Sequence, residues 1–117
     1  MRKFYSIPLI LLLVAAKPAV AEVWQVTEGT QKASRGTWTV NAIGSELNGT
    51  AEMTDDQGRR VTFKLTGTIK GSQYALQRVS PSNGANCVYR GDMNQPGKIS
   101  GSAICGPNQT AWFVQRQ

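Results

Sequence analysis

The sequence predicts an all-β domain: a small antiparallel up-and-down meander, closing as an eight-stranded barrel with one disulfide. Apolar residues alternate strictly with polar ones along short runs, as half-buried strands require. Turn signals separate the runs, and most are too short for the crossovers that parallel strands need. The only two cysteines, Cys87 and Cys105, lie symmetrically about the turn Gln95-Pro96-Gly97. A seven-stranded open or sandwiched arrangement is the alternative closure.

The first 21 of the 117 residues read as a secretory leader. Arg2 and Lys3 open it, Ile7 to Ala16 form its apolar run, and Ala19-Val20-Ala21 is a small-residue cleavage site. The apolar run is shorter than the roughly 20 residues that span a bilayer, and no second run follows. Export to a periplasmic or extracellular space is expected, with one domain over 22–117 and no membrane insertion after the leader is removed. The leader carries three of the 13 basic residues and none of the seven acidic ones, so the remaining 96 residues have a net charge of +3.

The expected strands run in order. Trp24 and Val26 mark a first within Glu22–Thr27, and Trp38, Val40 and Ala42 a second. Leu47, Gly49, Ala51 and Met53 make a third, and Val61, Phe63, Leu65, Gly67 and Ile69 a fourth. Tyr74 with Leu76, Tyr89 with Gly91 and Met93, Ile99 with Gly101 and Ala103, and Trp112 with Val114 complete the set.

The turns set the register. A two-residue turn at Gly44-Ser45 faces Ala42 with Leu47, Val40 with Gly49 and Trp38 with Ala51. One at Gly71-Ser72 faces Ile69 with Tyr74 and Gly67 with Leu76; a loop centred on Gln57 faces Met53 with Val61 and Ala51 with Phe63. Large residues meet small ones on one face each time, which fills a narrow interior. Gly49, Gly67, Gly91 and Gly101 recur mid-strand on that face and are read as the means of sharp coiling. The hairpin at Pro96 pairs Met93 with Ile99, Tyr89 with Ala103 and Cys87 with Cys105, so a structural disulfide is expected.

The chemistry that the sequence excludes is broad. There is no histidine, which removes His-based triads and the commonest general base. Asp55 and Asp56 before Gly58 fall short of the six or so ligands a calcium loop supplies, and turn chemistry accounts for them. Two thiols without histidine complete no zinc site. No serine or threonine has a base beside it. The protein is expected to be non-enzymatic, with no cofactor and no metal. Arg59, Arg60, Lys64 and Lys70 project from one hairpin without interleaved aromatics, so no nucleic-acid partner is expected. Arg90-Gly91-Asp92 spells an adhesion tripeptide but falls inside a strand.

Arg78 stands out. Extending the Tyr74, Leu76 alternation turns it inward opposite Leu65, where it needs an acidic partner, a ligand or a wet mouth; a bulge near Ser80 could instead turn Val79 inward and free it. The candidate interior pocket is Trp24, Trp38, Tyr74, Arg78, Tyr89 and Trp112, with core packing the competing account of the aromatics. The longest breaks, Glu28–Arg35 and Ser80–Asn86, emerge at one end with the Asp55–Gly58 connection. They offer Lys32, Arg35, Asp55, Asp56, Pro81, Asn83 and Asn86 as candidate binding-loop residues.

Gly36-Thr37-Trp38, then Gly44-Ser45 and Leu47-Asn48-Gly49-Thr50, resembles the first hairpin of avidin-type barrels, and the G-x-W on an early strand looks like the calycin group. The resemblance implies a small up-and-down barrel. It covers only the first hairpin, and biotin binding is not carried over. In size, secretion and single disulfide the chain is also similar to small periplasmic inhibitors of proteases or lysozymes, an analogy of architecture. Two functions follow: a binding module for a protein partner, inhibitor-like and working through its loops around a filled interior, or a small-ligand binder using the aromatic-lined mouth. Volume favours the first, because Trp38, Phe63, Tyr74, Tyr89 and Trp112 suffice to fill a barrel this small.

Overall fold

Eight strands follow one another without a helix in the computed structural model, which describes residues 20–79 and 86–117. They are β1 (Val20–Glu28), β2 (Ser34–Ile43), β3 (Glu46–Thr54), β4 (Arg60–Lys70), β5 (Gln73–Val79), β6 (Cys87–Gln95), β7 (Lys98–Cys105) and β8 (Asn108–Arg116). Each pairs antiparallel with its neighbours in sequence, and β8 returns to β1, so the sheet closes into a barrel without an open edge.

The registers are those the turns dictate. Ala42 faces Leu47, Trp38 faces Ala51, Ala51 faces Phe63, Ile69 faces Tyr74 and Met93 faces Ile99. Cys87 faces Cys105 and the two form a disulfide, with Cα atoms 4.1 Å apart. One irregularity goes beyond the turn-based register: a shift between Met93 and Gln95 lets Gln95 pair with Lys98. β1 also takes up Val20 and Ala21, two residues that the leader reading places before the cleavage point.

The glycine motif works through close approach. A Cβ on Gly101 would lie inside contact distance of the Arg90 carbonyl oxygen on the neighbouring strand, and one on Gly49 would meet the Thr39 carbonyl oxygen in the same way. Adjacent backbones can therefore press together where the wall coils most tightly.

The inward positions form a single core. Trp24, Trp38, Tyr89, Trp112 and Ile99 are buried, with Val26, Val40, Leu47, Phe63, Leu65 and Leu76 around them. Val61 departs from the expected inward set. It pairs with Met53 as its parity requires, yet it is 41% exposed because it is the second residue of β4, at the rim.

Up-and-down order sorts the connections. The β1–β2, β3–β4, β5–β6 and β7–β8 connections emerge at one rim, the long-loop mouth. The tight turns at Gly44, Gly71 and Gly97 lie at the other, together with the start of β1 and the end of β8.

Candidate functional site at the long-loop mouth

Trp38 is the hub of the bore. Its ring centroid lies 4.8 Å from Tyr89, 5.7 Å from Trp112, 6.1 Å from Phe63 and 6.3 Å from Trp24. Its indole Nε1 donates to the Met53 Sδ at 3.2 Å. Aromatic rings at these spacings occupy the middle of the barrel, as the volume argument requires.

Above the hub, at the long-loop mouth, the core becomes polar. Arg78 points inward and Val79 outward, so no bulge frees the arginine. Its guanidinium lies 3.7 Å over the Phe63 ring centroid and donates from Nη2 to the Tyr89 hydroxyl at 3.0 Å. Across the bore is Glu28, on β1, four strands away from β5 in either direction. Arg78 Nη2 and Glu28 Oε1 are 3.9 Å apart, with side chains only 15% and 14% exposed. That gap is too long for a hydrogen bond. The Tyr89 hydroxyl accepts from Arg78 at its side of the gap.

The cluster is incompletely satisfied. Among the described residues, Glu28 Oε1, Arg78 Nε and Trp112 Nε1 are buried without a hydrogen-bond partner. Trp112 faces Glu28 directly across the β8–β1 pairing, and Glu28 Oε1 lies 3.9 Å from the Arg78 guanidinium. Burial raises the Glu28 carboxyl above its ordinary value, against the Tyr89 hydrogen bond and the Arg78 charge, which lower it. Burial first, then the Glu28 charge, pushes the Tyr89 phenol up as well.

A second polar group caps the opposite rim. Arg116 Nη2 is 2.7 Å from Glu22 Oε2, and Trp24 Nε1 donates to Glu22 Oε1 at 2.9 Å. Arg116 Nη1 also reaches the Tyr74 hydroxyl at 3.5 Å and Met93 Sδ at 3.6 Å.

The six candidate pocket residues therefore divide. Arg78, Tyr89 and Trp112 meet at the long-loop mouth, Trp38 lies beneath them, and Trp24 with Tyr74 belongs to the opposite half, their rings 5.8 Å apart. Residue type places Glu28 at the start of a loop; it is instead the last residue of β1 with its side chain inside the barrel, and the connection proper is 29–33. Parity with Trp24 and Val26 is the signal that marks it, and parity with Trp112 and Val114 likewise marks Arg116.

The loop candidates are partly assembled. Lys32, Arg35, Asp55 and Asp56 line one open depression where the β1–β2 and β3–β4 connections meet. Arg35 lies within β2, paired with Thr54. Asp55 holds its own turn: Oδ1 accepts from the Gln57 and Arg59 backbone N–H groups at 2.9 and 2.8 Å, and Oδ2 from Arg59 Nε at 2.7 Å. The Arg59 backbone hydrogen bond is the main reason its carboxyl falls below the ordinary value. Asn86 is exposed just before β6, whereas Pro81 and Asn83 lie outside the described residues. Among the described residues no three His, Cys, Asp or Glu side chains come together as a metal site would need. Arg90-Gly91-Asp92 lies inside β6.

No protein-family model and no curated protein matches the sequence. Solved structures do match the fold. A de novo designed fluorescence-activating β-barrel superposes with a TM-score of 0.70 at 16% identity, over 84% of this chain and 94% of that one. A redesigned barrel, mFAP1, bound to DFHBI, gives a TM-score of 0.68 at 19% identity, over 81% and 92%. A further redesigned barrel, b11L5F_LGL, gives 0.68 at 21% identity, over 81% and 89%. These likenesses support the eight-stranded antiparallel barrel and do not single out the avidin or calycin group to which the first hairpin is similar.

Proposed function

We propose that the protein is an exported, non-catalytic binding barrel that takes a small molecule at the long-loop mouth. The observation that carries this reading is the group of buried Glu28, Arg78 and Trp112 atoms without partners among the described residues. Leaving such atoms unpaired costs about 1–3 kcal/mol each, and a ligand that pairs them recovers that cost. Barrels of this shape accept small molecules: the similar mFAP1 is bound to DFHBI. Export is supported by the leader pattern and by the disulfide, which belongs to oxidising compartments.

This reverses the order in which the sequence ranks the two functions. That ranking assumes that a filled bore leaves only the loops for binding. The polar cluster lies above the filled region, so a packed middle does not by itself confine binding to the loops.

The test is a small-molecule screen read by two-dimensional amide and indole N–H spectra, with Trp112→Phe assigning the indole resonance. Support is a saturable shift of the Trp112 indole together with the Glu28 and Arg78 amides. If binding molecules move only the Lys32 and Asp55 loop resonances, the mouth reading fails.

A further inference from the structure

We infer that the mouth selects an uncharged head group carrying both a hydrogen-bond acceptor and a donor, a carboxamide or an alcohol, over a carboxylate or an ammonium. This rests on the mouth reading above and deepens it to a ligand class.

The inventory of unmatched atoms sets the requirement. Arg78 Nε and Trp112 Nε1 are donors that need acceptor lone pairs, while Glu28 Oε1 is an acceptor that needs a proton. A carboxylate satisfies the two donors and sets its own lone pairs against Glu28. An ammonium satisfies Glu28 and turns three N–H donors toward two more. A carboxamide or a hydroxyl carries lone pairs and a proton on one small group, so it matches both kinds of unmatched atom.

Charge points the same way. One ionised carboxylate and one guanidinium sum to zero, and both side chains are at least 85% buried. A net charge brought into that surrounding loses its hydration without a counter-ion of its own. The cluster is also held ready. Arg78 is fixed by the Phe63 face and the Tyr89 hydroxyl, and Trp112 by contact with Tyr89, ring centroids 5.4 Å apart, so little ordering remains on binding. The rings of Phe63, Tyr89 and Trp112 beside the polar atoms suit a head group carried on a flat apolar body.

Four probes of one shape separate the possibilities: benzamide, benzyl alcohol, benzoate and benzylammonium, titrated at neutral pH against the Trp112 indole N–H resonance. The neutral pair is expected to bind about tenfold more tightly than either ion. Glu28→Gln removes the carboxylate, leaves Arg78 uncompensated and supplies an amide donor, so benzoate is expected to gain about a hundredfold and overtake benzamide. Circular dichroism of this variant checks that the barrel is intact. If benzoate or benzylammonium shifts the same resonance in the wild type at equal or lower concentration, the ligand class is wrong while binding at the mouth stands. If Glu28→Gln leaves the ranking unchanged, Glu28 does not select the ligand and the inference fails. If no probe shifts the indole and it instead shows a cross-peak to a long-lived water, solvent satisfies the cluster and this inference falls with the reading beneath it.

Discussion

Arg116 and Glu22 form a 2.7 Å ion pair across the seam where the last strand meets the first. That seam is the shortest in the wall, equalled only by β5 with β6: β1 and β8 pair over five residues, Trp24–Glu28 against Trp112–Arg116, whereas β1 and β2 pair over nine. The ion pair and the Gln117 N–H bond to the Val23 carbonyl carry the closure on to the short-turn rim.

Arg116→Met should therefore loosen the seam. The side chains are 30% and 21% exposed, so screening limits the loss to about 1 kcal/mol. Urea unfolding of both proteins at low and at high salt checks it, and the difference should shrink at high salt. Hydrogen exchange at Trp24–Glu28 should quicken in the variant.

Arg78→Met should cost about 3 kcal/mol, because it strands the Glu28 carboxylate in the bore. The double variant Arg78→Met, Glu28→Gln should recover most of that loss, since no buried charge remains. Thermal or urea unfolding of the two singles and the double completes the cycle.

The pH dependence of stability should carry the signature of Glu28. In the unfolded chain its carboxyl titrates near 4.5, while in the barrel burial keeps the proton on to higher pH, with Arg78 and Tyr89 opposing. Between those two values the native state binds more protons than the unfolded one, so this group makes stability fall as pH rises above about 4.5 and contributes no further slope beyond the folded value. Glu28→Gln should remove that fall, which urea titrations from mildly acidic to neutral pH would reveal as a flatter profile.

Replacing both cysteines, Cys87→Ala with Cys105→Ala, should destabilise the barrel by about 3 kcal/mol through the loop it releases in the unfolded state. Circular dichroism should show the same strand content at low temperature and an earlier melt.

Gly101→Ala should be more harmful than its one methyl suggests. The added carbon meets the Arg90 carbonyl and the Gly91 backbone, neither of which can move without opening the β6–β7 pairing. A loss of about 1–3 kcal/mol is expected, the range of overpacked cores. Ala111→Ser, on β8 nearby, serves as a mild control in the same melt.

Much of this fold is legible because strand parity leaves few choices. Once a two-residue turn is placed at Gly71, Gly67 must face Leu76 and Arg78 must face Leu65, and a slip of one residue would expose every apolar side chain. Parity also contained Glu28 and Arg116, yet polar residues at strand ends read as loops when judged by type alone. What parity cannot supply is depth. Val61 and Arg78 both belong to the inward set, but the rim leaves one in solvent while Phe63 and Tyr89 cover the other. The pairing of Glu28 with Arg78 lies beyond local pattern altogether, because it joins opposite walls through the bore.

The closed strand order also has a topological consequence. The wall has no first or last strand, since β8 lies hydrogen-bonded beside β1 just as consecutive strands lie beside one another. Gln117 and Val23 already share a hydrogen bond, so a short peptide from Gln117 to Glu22 would complete a ring, which could then be cut at another tight turn such as Gly71-Ser72. Such a circular permutant would keep every side chain of the mouth cluster in place while changing which segments the ribosome makes first. In this protein the order of the strands along the chain and the order around the wall are separable, and only the second matters to the mouth.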